Sequence, residues 1–260
     1  MLDYSLLLII PLSQILSTKK FNLKIRKKMK TRVIFAISML MAAFAFGQNQ
    51  DLQEIKVTAP QFQSDFFHNV NDFLLSGIEY PVESLLAGNE GTEVIRFVVT
   101  PKGNVTDIEV VNSVSDFIDL EVIRILEVSN GKWIPGTANG EPVAMEKEVS
   151  VVFKVSENSD FVAKAKSFLE LGNKMLFVNN KPEKALKFFD KSITLLPNEE
   201  TLLAVRGLCK YEIGDNEGAQ RDWNRIKILT ERNAVESLVE TAVNYSKLNG
   251  YNEMMNFVKK

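Results

Sequence analysis

At 260 residues, with 45% apolar and 25% charged side chains, the chain has the composition of folded protein and the length for one large or two small domains. Its net charge of -2 is unevenly spread: residues 1–47 hold eight Lys and Arg against Asp3 alone, which leaves 23 basic and 32 acidic residues, a net -9, from Gln48 onward. A chain of that charge repels phosphate backbones, so nucleic acid is excluded as an expected partner of the part beyond Gly47.

The basic residues surround an export signal. From Met29, Lys30 and Arg32 precede the 14-residue apolar run Val33–Phe46, and Ala45-Phe46-Gly47 supplies a small-x-small site. Residues 29–47 therefore read as a signal peptide and Gln48 as the mature terminus. The run is shorter than the ~20 residues of a membrane span, and its retention as an uncleaved anchor is the alternative. Residues 1–28, an apolar run from Leu6 to Leu12 and then a basic cluster, read as an upstream extension with translation starting at Met29, or else as a lengthened n-region. Cys209 is the only cysteine, which rules out an intramolecular disulfide and a lipid-bearing cysteine behind the signal. Its neighbours Val205, Leu208 and Tyr211 make it a buried small hydrophobe.

Residues 48–79 begin polar and then carry Phe62, Phe66, Phe67, Phe73, Leu74 and Leu75. Phe66, Val70, Phe73 and Leu74 sit at helical steps, so this lead-in is expected to be partly helical and packed on the sheet of the next domain. His68 is the only histidine, with no second His and no Cys near it, and it reads as a surface residue without a role in catalysis or metal binding.

A small α+β domain is expected over residues 80–157. Tyr80–Gly88 reads as a short helix entered through Pro81 and closed by Gly88. Glu93–Val99 is β-branched and runs into Thr100-Pro101-Lys102-Gly103-Asn104, a hairpin turn. In the return strand Val105–Val111, Val105 and Ile108 share a face only if Asp107 lies at a twist or bulge. Asp116–Ser129 reads as an amphipathic helix capped by Asp116 or Ser115, with Phe117, Leu120, Ile123 or Val122, and Leu126 as its apolar stripe. Asn130-Gly131 stops it, Trp133-Ile134-Pro135-Gly136 makes an aromatic anchor and turn, and Asn139-Gly140-Glu141-Pro142 opens the last strand, which ends at Val155.

Tyr80-Pro81, Gly88, Gly91-Thr92, Arg96–Val99, Gly103-Asn104-Val105, Trp133–Gly136 and Asn139–Val143 together resemble the TonB carboxy-terminal domain. That resemblance implies a three-stranded antiparallel sheet with two helices, and a last strand that binds receptor segments by its edge, here Glu148, Val149, Ser150, Val151, Val152, Phe153, Lys154 and Val155. It also leaves open a strand-exchanged homodimer.

Past the polar junction Ser156–Asp160 the charge turns from -11 over residues 48–157 to +2 over residues 158–260. Helical period runs throughout: Phe161, Ala165, Phe168, Leu169, Met175 and Leu176 form one face, and Ala185, Phe188, Phe189, Ile193 and Leu196 the next. Ala185 and Ala219, Phe189 and Trp223, and Ser192 and Ile226 each lie 34 residues apart, and Gly172 and Gly207 lie 35 apart. This spacing resembles the tetratricopeptide repeat. The first unit departs by one extra residue in its turn, Val178–Pro182, and Val235–Val258 reads as a degenerate capping pair. The resemblance makes Asn173, Arg206 and Lys210 candidate groove residues. Lys181, Lys184, Lys187 and Lys191 read as a solvated face.

No glycine loop, metal-ligand spacing or nucleophile–base pair supports an enzyme, and no cofactor is expected. Two functions remain. One is an exported periplasmic or cell-envelope interaction protein whose sheet edge takes an extended peptide, for instance from an outer-membrane receptor, while the repeats hold a second protein. The other is an inner-membrane-anchored energy transducer for such receptors. The membrane enters only through the signal or anchor segment.

Overall fold

In the computed structural model, residues 55–67, 69–232, 248 and 250–258 are described. The signal segment, His68 and most of the expected capping pair lie outside them.

The lead-in forms the short strands β1 (Val57–Thr58) and β2 (Gln61–Phe62) and then helix α1 (Val70–Gly77). Asn69 caps α1 by accepting from the Asp72 amide at 3.0 Å. Val70, Phe73 and Leu74 are buried, but Phe66 precedes the helix and stands in solvent, because the Asn69 cap starts the helix after it. There follow α2 (Val82–Leu86), β3 (Gly91–Val99), β4 (Val105–Asn112), α3 (Asp116–Val128), three short strands β5 (Trp133–Ile134), β6 (Gly136–Ala138) and β7 (Glu141–Val143), and the long β8 (Met145–Phe153). The main sheet is antiparallel in the order β4-β3-β8. The lead-in is woven into the same domain, since β1 pairs with β6 and β2 with β5.

Asp107 sits at φ 52, and the β3–β4 register gains one residue between the Arg96–Glu109 and Val98–Thr106 pairs. Of the twist or bulge that would let Val105 and Ile108 share a face, this is the bulge, and it brings both to the inner side. Asn139 and Gly140, both at positive φ, close the β6–β7 hairpin rather than open the last strand. Gly103, at φ 76, also passes so close to Trp133 that an added Cβ would lie 2.3 Å from its carbonyl oxygen.

In α3 the buried stripe is Ile118, Val122, Ile125 and Leu126. The expected stripe is corrected: Phe117 and Leu120 are exposed. Ser115 is the cap, accepting from the Ile118 amide, and the buried stripe keeps Val122 and Leu126 of the expected one, with Ile118 and Ile125 in place of Phe117 and Leu120. Helices α1 and α3 cover the inner face of the sheet, over a core of Ile95, Phe97, Val99, Val149, Val151 and Phe153 anchored by Trp133. The Trp133 ring meets Phe97 and Phe62 edge-on at 5.3 and 5.4 Å, and its indole N–H donates to Ser129 Oγ at 3.0 Å.

The helical region pairs α4 (Phe161–Asn173) with α5 (Pro182–Leu195) and α6 (Glu200–Glu212) with α7 (Asn216–Arg232), and α8 (Tyr251–Val258) packs on the second pair. Small residues let bulky ones in: a Cβ on Gly172 would lie 2.3 Å from the Phe189 ring, and one on Gly207 2.5 Å from Trp223. The extra residue of the first unit is absorbed in a π-helical turn, Lys174–Val178, with the Asn179 amide donating to the Lys174 carbonyl at 3.1 Å. The four lysines 181, 184, 187 and 191 are exposed, as expected.

Candidate protein-interaction edge

Along β3 and β8 the side chains alternate between two faces. Ile95, Phe97, Val99, Val149, Val151 and Phe153 enter the apolar core, and the even-numbered Thr92, Val94, Arg96, Glu148, Ser150 and Val152 face outward. The helical region docks on part of that outward face. Thr92 Oγ1 donates to the Leu195 carbonyl at 2.9 Å, and Asn112 Nδ2 to the carbonyls of Thr92 and Thr194 at 2.7 and 3.4 Å. Gly91 has no room for a side chain, since a Cβ would come within 2.5 Å of the Thr194 oxygen. At the junction Glu90 accepts from Lys164, from Ser159 Oγ and from the Val155 amide, which holds its carboxylate below the usual range against the opposing effect of burial.

β8 pairs with β3 over its whole length, from Met145 opposite Val99 to Phe153 opposite Gly91, and among the described residues no strand pairs with its other edge. Helix α1 packs over its inner face, and Lys147 Nζ donates to the Pro60 carbonyl at 3.3 Å near its start. Of the eight residues expected to line the edge, Glu148–Phe153 lie in the strand. Lys154 and Val155 follow it: Lys154 Nζ stands 5.4 Å over the Phe161 ring, and the Val155 amide turns to Glu90. Ser150 and Val152 are exposed; Val149, Val151 and Phe153 are buried.

Glu148 is where the edge meets the helices. Arg225 of α7 grips it with two bonds of 2.6 Å and donates a third to Asn198 Oδ1 at 2.6 Å, while Arg96 stands 3.8 Å away. The side chains of Arg225 and Glu148 are 7% and 11% exposed. Arg225 carried no signal of its own in the sequence, because nothing in the spacing of a surface-like arginine on α7 names a glutamate 77 residues earlier.

The three groove candidates are not brought together as an open site. Arg206 and Lys210 both grip Asp222, at 2.6 and 2.9 Å, and Arg206 also meets Asp190 at 3.3 Å. They tie α6 to α7. Asn173 ends α4, where the chain enters the π turn.

Two buried groups could suggest chemistry. Cys209 is buried and its thiol, donating to the Pro182 carbonyl at 3.2 Å, is pushed up to about 12 by burial and by the carboxylates of Asp190, Glu183 and Glu212. It stays a thiol and is a poor nucleophile. Glu93, fully buried on the inner face, is pushed up to about 8 by burial first, and by Asp119 beside it, while the Val114 amide donating at 2.8 Å opposes the rise. Among the described residues, no group of three or more His, Cys, Asp or Glu is placed to hold a metal ion, and no helix is long and apolar enough to cross a membrane.

Residues 76–155 match the family described as Gram-negative bacterial TonB protein C-terminal, so this part of the chain is a TonB C-terminal domain. Among solved structures, two NMR structures of the Helicobacter pylori TonB C-terminal domain are similar to it. Each is 19% identical and covers 34% of this chain; one is covered over 92% of its length with a TM-score of 0.27, the other over 79% with a TM-score of 0.29. No curated protein matches the chain.

Proposed function

We propose that the TonB C-terminal domain of this chain binds an extended peptide of an outer-membrane receptor by strand addition to β8, in the cell envelope, and that the helical pairs are tetratricopeptide-like units carrying a second protein contact. A TonB-type protein-interaction role follows from the family of residues 76–155. The observation that supports the finer reading is the edge of β8. A strand paired on one side only offers backbone donors and acceptors to an incoming chain, while Ser150 and Val152 expose side chains to meet alternate residues of that chain. The family is one of interaction modules and not of enzymes, and the inert state of Cys209 agrees with that.

A pool of synthetic amino-terminal segments from outer-membrane receptors, titrated against the protein, tests the reading. Successive amides of an edge strand alternate between the sheet and the open side. Of Val151→Pro and Val152→Pro, one therefore deletes a donor to β3 and destabilises the sheet, and the other deletes an outward donor. The outward variant is expected to keep its thermal stability and lose peptide binding by about ten-fold or more, one charge-free hydrogen bond with its clash. Unchanged binding in both variants sinks strand addition. The same edge serves a freely exported scaffold or an anchored transducer, and the amino-terminal sequence of the protein taken from cells separates them: Gln48 for the first, a retained Met29 segment for the second.

A further inference from the structure

The edge strand and the helical region are joined at one point that neither a sheet domain nor a repeat needs for its own fold. Glu148 lies in the middle of β8, facing outward, where its neighbours Glu146, Ser150 and Val152 are exposed. It is covered because Arg225 reaches across from α7 with both terminal nitrogens, one on each carboxylate oxygen, in the fork geometry that fixes direction as well as distance. Asn198, in the turn between α5 and α6, takes the remaining bond from Nη2.

The base from which Arg225 reaches is itself held. Three residues earlier on α7, one helical turn back, Asp222 is buried between Arg206 and Lys210. Arg206 and Lys210, two of the three groove candidates, thus fix the turn of α7 that presents Arg225. Arg96 on β3, 3.8 Å from both Glu109 and Glu148, spans all three strands of the sheet at the same level.

We propose that Arg225 is a positioning residue for the β8 edge: the helical region holds the middle of the strand, through Glu148, in the straight, β3-paired form that an incoming peptide strand requires. This rests on the strand-addition reading for its consequence in binding, though its first test does not. An edge strand has hydrogen bonds on one side only and would otherwise fray from β3 before a partner arrives. Holding it in advance lowers the ordering cost that binding must overcome. The helical region is then a fixed part of the receptor-binding element and not a separate module on a tether.

Hydrogen–deuterium exchange on the full chain, without any ligand, tests the positioning. Arg225→Ala is expected to speed exchange of the Met145–Phe153 amides by about ten-fold or more, while α3 and α6 keep their protection. Arg225→Lys, which keeps the charge and loses the fork, is expected to fall between the two. Arg221→Ala, on the same helix and in an exposed pair with Glu217, is expected to change nothing. Wild-type protection of β8 in Arg225→Ala overturns the proposal and leaves strand addition standing. If the exchange arm succeeds, the pooled receptor segments are titrated against Arg225→Ala, Glu148→Ala and the double variant. Weaker binding in each single variant, with no further loss in the double, supports it, since the two side chains act as one unit. Tighter binding in Arg225→Ala would mean that the contact masks the edge, and would overturn the positioning role.

Discussion

The two faces of the β3–β8 sheet are built from the same strands and buried by different means. The inner face is dry: Ile95, Phe97, Val99, Val149, Val151 and Phe153 pack under α1 and α3, and the aromatic rings of Trp133, Phe62 and Phe73 close one end. Part of the outer face is covered by the helical region, through side-chain hydrogen bonds and an ion pair from Thr92, Asn112 and Glu148, while Ser150 and Val152 stay exposed. Apolar packing tolerates many partners and is legible as a period. A polar contact needs one particular partner at one distance, so the pattern that produces it looks the same as a pattern for solvent.

The largest effect that would sharpen this contrast is on the dry side. Phe97 is fully buried, and Phe97→Ala is expected to cost about 3–5 kcal/mol in urea unfolding, the range for emptying an aromatic site in a core. A loss under about 1 kcal/mol would mean that the inner core is not the main support of the sheet.

Glu93 is the exception on the inner face, and it can be turned into a test of how strictly that face excludes charge. One carboxylate oxygen accepts from the Val114 amide, and the protonated acid is the form that can share a hydrogen bond with the Asp119 carboxylate beside it. Its acidity is shifted to about 8 in the folded protein from the ordinary 4.5. The folded state therefore holds a proton that the unfolded state has already released. Stability is full below the unfolded value, falls as pH rises from 4.5 toward 8, and levels off above that, where both states are ionised. Glu93→Gln keeps the shape of the protonated acid and removes the titration. It is expected to flatten this fall, matching wild type near pH ~4 and exceeding it near pH ~9, as read from denaturation midpoints. Equal pH slopes in the two proteins would show that Glu93 is ionised in place.

The order of the long helices and strands and the Trp133 anchor are legible in the sequence because each is set by local steric or period-2 and period-3.6 constraints; Asp107 is legible only as a twist or bulge, and the pairing of small and bulky residues in the helical half only through the resemblance to a repeat. The sequence names the β8 edge through resemblance. It does not name Arg225, Asn198 or the Thr92–Leu195 contact, since these join residues from about 27 to 103 positions apart and no local rule couples them. The same holds for the groove candidates Arg206 and Lys210, whose partner Asp222 lies on the next helix, beyond the reach of any local spacing rule. Short strands β1 and β2 were invisible because two residues carry no periodicity.

The smallest expected effect concerns α3, where the sequence and the structure choose different stripes of one helix. Three-residue steps from Phe117 run through Leu120, Ile123 or Val122, and Leu126; the strict three-residue step is too short for a 3.6-residue turn, so that stripe drifts off the contact face as it runs backward from Leu126, while the alternative Val122 is fully buried. The Ser115 cap fixes where the helix begins, and Ile118, Val122, Ile125 and Leu126 then follow at the spacing that keeps one side on the sheet. Leu120 is 65% exposed and Ile118 is fully buried. Leu120→Ala is accordingly expected to change stability by less than about 0.5 kcal/mol, since it loses little buried area and gains helix propensity. Ile118→Ala, two residues away, is expected to cost about 2–5 kcal/mol. If calorimetry instead gave the larger loss to Leu120→Ala, the helix would present its other side to the sheet, and the inner face would have to be rebuilt around Phe117 and Leu120.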